Sequence, residues 1–508
     1  MSQNLYESYS ANLFDGSLLK KTHTEQADAV VVGSGPGGAT VARDLAGAGL
    51  RVVLIEEGRL WLPQDFPADA WTANAELYRN VGATLAMGNL PIPLVQGCAV
   101  GGTSVINGAI SWRLPQDIHQ EWLAADPALE QSIGWTALSE AMDRVESDLH
   151  IHPTPPEISG PNNLLLGKGA DALGIAHRPI YRNVKGCRGL GRCMQGCPEG
   201  HKMSMDRTYI PEALAHNARL FYSTTALRVL HQDGKAQGIQ AITKAGANLR
   251  VLAPRVVLAA GALHSPLLLW KSRLRHPSLG QGFQCHPGVG ITGRFPNPVR
   301  MWEGATQGHE VIGLRHEGIK IEALGFDMAF VASRLKSFGP ALTDDIANLV
   351  FWSNWGAAIR AEARGSVRPS WRGQPHVRFS LTQNDLFKIR RGIRVMAEIM
   401  LAAGATAVYP GIYGWHDKLS DPAPLAHLEQ EVPLHPKRFN ALATHLFGTC
   451  RLGSNPQLAV LDPFFQSYTT QGLFVSDASV FPSNTGVNPQ TSIIALAHLC
   501  ALAILQRT

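Results

Sequence analysis

The sequence AVVVGSGPGGATVARDLAG at residues 29–47, followed by VVLIE at residues 52–56, decides the fold. Its opening apolar run predicts a buried strand, its glycines predict a tight turn, and the apolar spacing after the turn predicts a helix from Ala39 to Gly47. The second apolar run, Val52 to Ile55, predicts a strand that ends at Glu56. Strand, turn, helix and strand in this order are typical of the βαβ unit of a parallel sheet.

The glycine-rich turn predicts a dinucleotide site. Gly33, Gly35 and Gly38 have the G-x-G-x-x-G spacing, and Glu56 stands where an acid that accepts hydrogen bonds from a ribose belongs. Glycines let backbone N–H groups approach a pyrophosphate, and the helix N-terminus favours its negative charge. A purely structural turn is the alternative, but the strand, helix and acid around it favour a nucleotide. The unit alone does not distinguish FAD from NAD.

Composition limits the class of protein. The chain has 508 residues, of which 45% are hydrophobic and 17% charged, as in an ordinary globular protein with two domains. The net charge of +5 is scattered along the chain without a basic run, which argues against a nucleic-acid partner. The N-terminus lacks a secretory signal, so we expect a cytoplasmic protein, with export alongside a separately encoded partner left open. The apolar stretch from Ile493 to Leu505 is too short to span a membrane and predicts a buried helix.

The strand signals predict a domain assembled from separated segments. Apolar runs from Val256 to Ala260 and from Leu473 to Val475 look like further strands of the parallel sheet, although they lie far apart in sequence. We therefore predict an α/β fold with a Rossmann-like domain formed by residues 25–120, 200–293 and 434–508. Residues 121–199 and 294–433 are expected to form an α+β substrate domain with an antiparallel sheet.

Several motifs downstream occur in one order along the chain. They are GCAVGGTSVINGAISWR at 97–113, GALHSPLLLWKSRL at 261–274, CHP at 285–287, HLFGTCRLG at 445–453, GLFVSDASVFP at 472–482 and NTGVNPQTSIIALA at 484–497. Together with the N-terminal turn they resemble the glucose–methanol–choline (GMC) oxidoreductase family over the whole chain. The resemblance implies FAD as cofactor and removal of a hydride from an alcohol carbon.

The resemblance also implies a set of flavin contacts. The further residues expected to contact FAD are Gly101, Gly102, Ser104, Asn107, Val229, Asp477, Pro489, Gln490 and Thr491. Some relatives attach the flavin covalently through a histidine just before the asparagine of this motif. Here that position is Ile106, so we expect noncovalent FAD.

Two residues are expected to carry the chemistry, His445 and Asn488. The resemblance assigns them to the catalytic pair. An alcohol must lose its hydroxyl proton as the hydride leaves, and imidazole suits this task because its ordinary pKa lies close to operating pH. Asn488 would bind and orient the substrate oxygen. We expect His286 to be structural, near the domain junction, and His498 to be a helix residue.

Three of the seven cysteines form a cluster. Cys187, Cys193 and Cys197 are spaced C-x5-C-x3-C-P, which suits a three-iron iron–sulfur (3Fe-4S) cluster. The spacing resembles catalytic subunits of bacterial FAD-dependent sugar dehydrogenases, which pass electrons to a cytochrome partner. It also resembles a loop of the long-chain alcohol and sterol oxidase branch, which often has a further cysteine where this chain has Leu190. Reduced structural thiols are the main alternative, and a disulfide or zinc site is the other.

Three functions are compatible with these patterns. The favoured one is a dehydrogenase for a bulky or long-chain alcohol, with oxygen or an electron-carrier protein or small subunit reoxidising the flavin. The second is a sugar or polyol dehydrogenase that uses the iron–sulfur cluster and a cytochrome. The third is a flavoprotein without alcohol oxidation, such as a lyase or an electron-transfer component; the presence of both His445 and Asn488 counts against it.

Overall fold

A parallel sheet with strands from both ends of the sequence forms the centre of one part of the fold. The computed structural model describes residues 5–332, 335 and 337–507. Within them, six parallel strands lie in the spatial order Leu13–Asp15, Arg219–Tyr222, Val52–Ile55, Ala29–Val32, Arg255–Leu258 and Leu473–Val475. The two central strands are buried along their whole length, as parallel strands usually are. The predicted βαβ unit and the assembly from separated segments are confirmed.

Helices pack beside this sheet. The first, Pro36–Gly47, starts three residues before the predicted helix, because Pro36 sits in the first turn, where a missing N–H costs nothing. It packs against the C-terminal helix, Gln490–Gln506, and against Tyr209–Ala215. The C-terminal helix in turn packs against Trp135–Asp148. The C-terminal helix is buried, as predicted. Among the described residues, no helix combines the length and apolarity needed to cross a membrane.

A small sheet lies beside the parallel one. Its strands, in spatial order, are Thr224–Gln232, Lys235–Thr243, Asn248–Leu252 and His23–Gln26. The first three form an antiparallel meander, and the last strand joins in parallel. Side chains of this sheet such as Ile239 and Val251 lie in the same core as the parallel sheet.

A larger, mostly antiparallel sheet forms the other part of the fold. Its strands, in spatial order, are Gly365–Pro369, Pro375–Arg378, Thr84–Met87, Ile92–Leu94, Leu442–Phe447, Gln281–Arg294, Trp352–Ile359, Ile319–Ala323, His309–Val311 and His177–Pro179, with Ala407–Tyr409 paired to Gln281–Arg294. The helix Gln383–Ala402 packs on it and begins with a capping box, in which Thr382 and Asp385 exchange hydrogen bonds of 3.0 Å. This is the predicted antiparallel sheet.

The remaining elements connect these layers. Strands Ile151–Pro153 and Tyr181–Asn183 form a two-stranded ribbon. The other helices are Ala70–Leu77, Gln116–Ala125, Glu130–Ile133, Pro156–Ser159, Pro161–Ala172, Gly261–Lys271, Met328–Ala332, Pro340–Ala347 and Leu428–Glu431.

The packing divides the chain differently from the predicted domain boundaries. Buried side chains between 118 and 149, including Trp122 and Met142, lie in the core of the parallel sheet, although residues from 121 onward were assigned to the substrate domain. Conversely, the large sheet takes strands from the predicted FAD domain, namely Thr84–Met87, Ile92–Leu94, most of Gln281–Arg294 and Leu442–Phe447. A hydrophobic pattern shows which face of an element is buried, but not which sheet covers it. The boundaries stay a prediction.

Candidate active site

A cavity of about 1390 Å³ is lined by residues of both the parallel sheet and the large sheet. It brings together most of the predicted site residues. Those that line it are Gly33, Gly35, Glu56, Gly102, Ser104, Asn107, His445, Asp477, Asn488, Pro489 and Gln490. Gly38, Gly101, Val229 and Thr491 lie outside its lining.

The glycine turn is shaped by close backbone contacts. Gly33 has φ of +98°, a conformation that favours glycine. A Cβ on Gly37 would lie 1.9 Å from the carbonyl oxygen of Ser476, and a Cβ on Gly38 would lie 1.8 Å from that of Gly33. Gly35 differs, since its nearest neighbour would be the Cα of Gly102 at 3.9 Å. Its open side faces the cavity, where a ligand could approach the backbone.

Glu56 is held at the edge of this turn. It is buried, and it accepts hydrogen bonds from the Ser34 N–H at 2.9 Å, the Ser34 hydroxyl at 2.7 Å and the Gly58 N–H at 2.8 Å. Burial raises the pKa of Glu56 in spite of these hydrogen bonds. The carboxylate is therefore fixed in place beside the cavity, as expected for a group that meets a ribose.

The segment 101–107 lines the cavity next to this turn, and the Gly101 N–H donates a hydrogen bond of 2.9 Å to the Ser34 hydroxyl. Ser104 accepts a hydrogen bond from Met205 N–H and donates one to Gly101 O at 2.6 Å, so its hydroxyl braces the turn. A Cβ on Gly102 would lie 2.7 Å from the Cα of Gly35, so the two glycines allow the two backbones to meet. Asn107 Nδ2 donates to Gln490 Oε1 at 2.5 Å and ties this segment to the C-terminal helix.

The C-terminal helix and the last parallel strand complete this wall. Asp477, at the end of that strand, is buried and accepts hydrogen bonds from Gly261 N–H and Ser479 N–H. Three polar groups at the start of the helix have no hydrogen-bond partner among the described residues, namely the Nε2 of Gln490 and the hydroxyls of Thr491 and Ser492. Buried polar atoms without partners are uncommon in proteins, and Gln490 lines the cavity, so its Nε2 suggests a polar ligand there.

His445 lies on strand Leu442–Phe447 and contacts a second histidine. Its Nδ1 lies 3.1 Å from the Nδ1 of His286, which belongs to the neighbouring strand and also accepts a hydrogen bond from Gly486 N–H at 3.0 Å. Burial, with a smaller effect from the charge of Lys320, lowers the pKa of His445 to about 3. Burial and His445 likewise hold the pKa of His286 well below its usual range. Both imidazoles are therefore neutral at neutral pH.

Asn488 lies next to a buried group of charges that sequence reasoning missed. Its Oδ1 accepts a hydrogen bond of 2.5 Å from Lys320 Nζ, and Lys320 in turn contacts Glu310 and Glu322. The strand IKIEA at 319–323 alternates apolar and charged residues. This alternation places both charges on one face of the strand and was the available signal.

Comparison with known proteins decides the family. The N-terminal sequence model of GMC oxidoreductases matches residues 74–288, and the C-terminal one matches residues 361–497. The chain belongs to the GMC oxidoreductase family. It is an FAD-dependent oxidoreductase of the α/β flavoenzyme fold. The glycine turn, the braced segment 101–107 and the unpartnered Nε2 of Gln490 fit the cofactor of this family.

Several relatives of known sequence or structure are similar over nearly the whole chain. An uncharacterized GMC-type oxidoreductase of Mycobacterium tuberculosis is 36% identical over 484 residues, which cover 93% of this chain and 75% of the relative. The long-chain-alcohol oxidase FAO4A of Arabidopsis thaliana is 27% identical, with 94% and 68% covered. Pyridoxine 4-oxidase from Mesorbium loti has a TM-score of 0.70 at 20% identity, covering 94% of this chain and 98% of that structure.

Val229 is one of the predicted cofactor residues that lie outside the cavity lining. It is buried in the core of the parallel sheet, and its N–H donates to Ser272 Oγ at 2.8 Å. Thr224, Thr225 and Ala226 of the same strand line the cavity instead. A β-bulge lies between Ala226 and Arg228, so Val229 follows an irregularity in this strand.

The cysteine loop of this GMC chain contains buried cations. Arg182 Nη2 lies 3.2 Å from Cys193 Sγ, and Arg182 Nη1 lies 3.7 Å from Cys187 Sγ. Among the described residues, no group of three or more His, Cys, Asp or Glu side chains is placed to hold a metal ion. A guanidinium between two sulfurs does not fit the predicted 3Fe-4S cluster, whose sulfur ligands must converge on iron.

Lys202, which follows the three cysteines in the sequence, instead supports the segment 101–107. Lys202 Nζ donates to the carbonyl oxygens of Val105, Asn107 and Cys193 at 2.6, 3.0 and 2.7 Å. Burial alone would raise the pKa of the Cys193 thiol, but Arg182 and Lys202 outweigh it and lower this pKa. Arg182 and Lys202 thus favour the thiolate form of Cys193 against the effect of burial.

Protein purified under anaerobic conditions is expected to show flavin absorption bands with iron far below a stoichiometric amount, because Arg182 contacts two of the three sulfurs. The measurement is a visible spectrum with an iron assay on the same sample. Cys187→Ser, which changes one of the two half-buried cysteines of the loop, should leave both values unchanged. If the parent protein instead contained about three irons per chain and Cys187→Ser lost them, the iron–sulfur hypothesis would be supported.

Proposed function

We propose that this GMC oxidoreductase oxidises a bulky or long-chain alcohol to the carbonyl compound. His445 accepts the hydroxyl proton, and Asn488 holds the oxygen. The observation that supports this proposal is the shared cavity, in which both side chains and the flavin-site residues face one space. FAD, when bound, accepts the hydride that leaves the carbinol carbon. A proton and a hydride leave the alcohol, and a carbon–oxygen double bond forms, so the reaction is balanced.

The low pKa of His445 suits the role of base. An imidazole with a pKa of about 3 is unprotonated at neutral pH and can accept a proton from a bound hydroxyl. Its Nδ1 is engaged by His286, which leaves Nε2 as the nitrogen available to a substrate. His286 thereby fixes the plane of the catalytic ring.

The tautomer of the histidine pair decides whether this Nε2 can accept a proton. A single hydrogen lies between the two Nδ1 atoms. When it belongs to His445, the Nε2 of His445 is unprotonated, and His286 carries its own hydrogen on Nε2. That hydrogen has an acceptor at hand, since the buried Oδ1 of Asn484 lies beside His286 without a partner among the described residues. The Gly486 N–H donates to this same Nε2 and so favours the opposite tautomer. We assign the first tautomer to the reactive enzyme, in which His286 Nε2 must give up the hydrogen bond from Gly486 and donate to Asn484 instead.

The far part of the cavity supports an apolar substrate. Trp352 and Tyr409 stack there with ring centroids 4.9 Å apart, and Val331, Leu335 and Phe326 line the cavity beside them. These side chains belong to one apolar cluster. The named function of the Arabidopsis relatives, long-chain-alcohol oxidation, agrees with such a lining.

A series of straight-chain primary alcohols should separate the substrate classes. We expect kcat/KM for anaerobic flavin reduction to rise about fourfold per added methylene until the cavity is filled, since each buried methylene contributes about 0.8 kcal/mol. Tyr409→Ala should lower kcat/KM about tenfold for the longest alcohols and hardly at all for ethanol. Tyr468→Ala, which lies outside the cavity lining, is the matched control.

The same assay tests the other two functions. Faster reduction by a sugar or polyol than by any aliphatic alcohol would favour the sugar dehydrogenase, with a protein electron acceptor. A flavin that no alcohol reduces would favour a non-oxidising flavoprotein. We favour alcohol oxidation because His445 and Asn488 both face the cavity and the cysteine loop does not fit an iron–sulfur relay.

A further inference from the structure

A compact group of charges is buried behind Asn488. Lys320 is 3% exposed, and its Nζ lies 2.9 Å from Glu310 Oε2 and in contact with Glu322 Oε1. Glu310, which is 0% exposed, also accepts hydrogen bonds from Trp112 Nε1 at 2.7 Å and Arg178 Nε at 2.8 Å. Lys320 and the two carboxylates therefore lie together with little access to water, and Arg178, whose side chain is 34% exposed, reaches Glu310 from the edge of the group.

Such a group is not explained by stability alone. Moving charges out of water costs several kcal/mol per ion, and apolar side chains of similar size often serve a fold equally well. The residues around it are also arranged in detail, since the second oxygen of Glu322 accepts a hydrogen bond of 2.8 Å from Gln307 Nε2. The group thus holds Lys320 in one position.

The three hydrogens of the Lys320 ammonium meet three acceptors. Two are the carboxylates of Glu310 and Glu322, and the third is Asn488 Oδ1 at 2.5 Å. An ammonium only donates hydrogen bonds, so the amide oxygen of Asn488 must be the atom turned toward it. The amide nitrogen of Asn488 is then the group left for the cavity, which Asn488 lines.

We propose that Lys320 is a positioning residue that fixes the amide of Asn488, so that the active site offers an N–H donor to the substrate oxygen. The inference rests on the proposed function for its role in catalysis. A donor at this point favours an oxygen that carries negative charge, as the alcohol oxygen does while its proton passes to His445. It also favours the carbonyl product over a hydrocarbon of the same shape.

A binding experiment tests the inference without turnover. The oxidised holoenzyme is titrated with 2-decanone, which has an acceptor oxygen, and with n-decane, which has none, and binding is followed by the change in flavin absorbance. In Lys320→Met the amide of Asn488 can rotate and lose its hydrogen bond to the ketone oxygen. We therefore expect the Kd of 2-decanone to rise about tenfold, which corresponds to about 1.4 kcal/mol. The Kd of n-decane should change less than about twofold.

Controls separate positioning from folding. Lys320→Met leaves two carboxylates with one cation, so the double variant Lys320→Met, Glu322→Gln restores the charge balance and should give the same two ligand affinities. Lys388→Met is the matched control, because Lys388 pairs with Glu362 at 3.5 Å outside the cavity lining. Equal weakening of both ligands, or no weakening of either in a folded, FAD-containing variant, would overturn the proposal.

The pH profile gives a second readout that a purely structural role would not move. The charged groups that act on the histidine pair are Lys320 and Arg360, and Glu310 and Glu322 contact Lys320 in turn. Burial is the main cause of the low pKa of His445, and the Lys320 charge is the smaller one. Removing that charge should therefore raise this pKa modestly, and the acid limb of kcat/KM should move to higher pH by the same amount. Lys320→Arg should restore it. If no alcohol reduces the flavin but 2-decanone still depends on Lys320, the proposed function fails and the positioning stands.

Discussion

His445→Ala is expected to slow anaerobic reduction of the bound flavin by about 10²- to 10⁴-fold, the usual contribution of a general base. The variant removes the imidazole that lines the cavity beside Asn488, but it touches neither the glycine turn nor Glu56. FAD content should therefore be unchanged. Stopped-flow measurement of flavin bleaching by a long-chain alcohol gives the rate, and the flavin spectrum after denaturation gives the content.

The control for this variant is His376→Ala, an exposed histidine on strand Pro375–Arg378. It should reduce as fast as the parent enzyme. If His445→Ala also reduces at the parental rate, His445 is not the base. If it loses FAD, its effect is structural, and His445→Gln, which keeps a polar side chain of similar length, becomes the informative variant.

The same assignment has a consequence for pH dependence. A base with a pKa of about 3 stays unprotonated as the pH falls through 6.5, where an ordinary histidine would be lost as a base. We expect kcat/KM to keep its plateau well below pH 6 in the parent enzyme. An acid limb with a midpoint near 6.5 would show instead that His445 titrates like an exposed histidine.

Gly37→Ala is expected to give a protein without bound FAD. The added Cβ would lie 1.9 Å from the carbonyl oxygen of Ser476, so the first turn of helix Pro36–Gly47 must move away from the last parallel strand. The backbone N–H groups that face a pyrophosphate would move with it. The ratio of flavin to protein absorbance after purification measures the loss, and added FAD should fail to restore it.

Gly47→Ala is the matched control for this variant. It lies at the other end of the same helix, and its Cβ would make only ordinary contact with His216 at 3.7 Å. Full FAD content is expected there, since alanine favours helix more than glycine does. A Gly37→Ala protein with the same flavin content as Gly47→Ala would mean that the turn can relax without loss of the cofactor site.

Local sequence was enough to predict the βαβ unit that forms the expected nucleotide site. The run Ala29–Val32, the glycines at 33, 35 and 38, and Glu56 gave strand, turn, helix and acid in order, and the structure has them in that order. This worked because each residue acts through its own backbone conformation or its immediate neighbours. The same holds for the buried C-terminal helix, whose apolar composition alone predicts burial.

Contacts across long sequence distances were beyond such patterns. Lys320 meets Asn488 across 168 residues, and His286 meets His445 across 159. Arg182 meets two cysteines of a loop whose spacing by itself suggested iron–sulfur ligands. Local sequence patterns do not predict that a lysine on one strand contacts an asparagine near the C-terminus.

The sequence by itself determined the family, the FAD turn and the two residues that we expect to carry the chemistry, because these are encoded in short motifs with fixed spacing. The tertiary structure alone decided which atoms of those residues are available. The hydrogen bonds with His286 and Lys320 engage the Nδ1 of His445 and the Oδ1 of Asn488, so the Nε2 of His445 and the amide nitrogen of Asn488 are the atoms that we propose meet the substrate. The physical reason is that a hydrogen bond depends on positions and directions in space, which only the packing of distant strands sets.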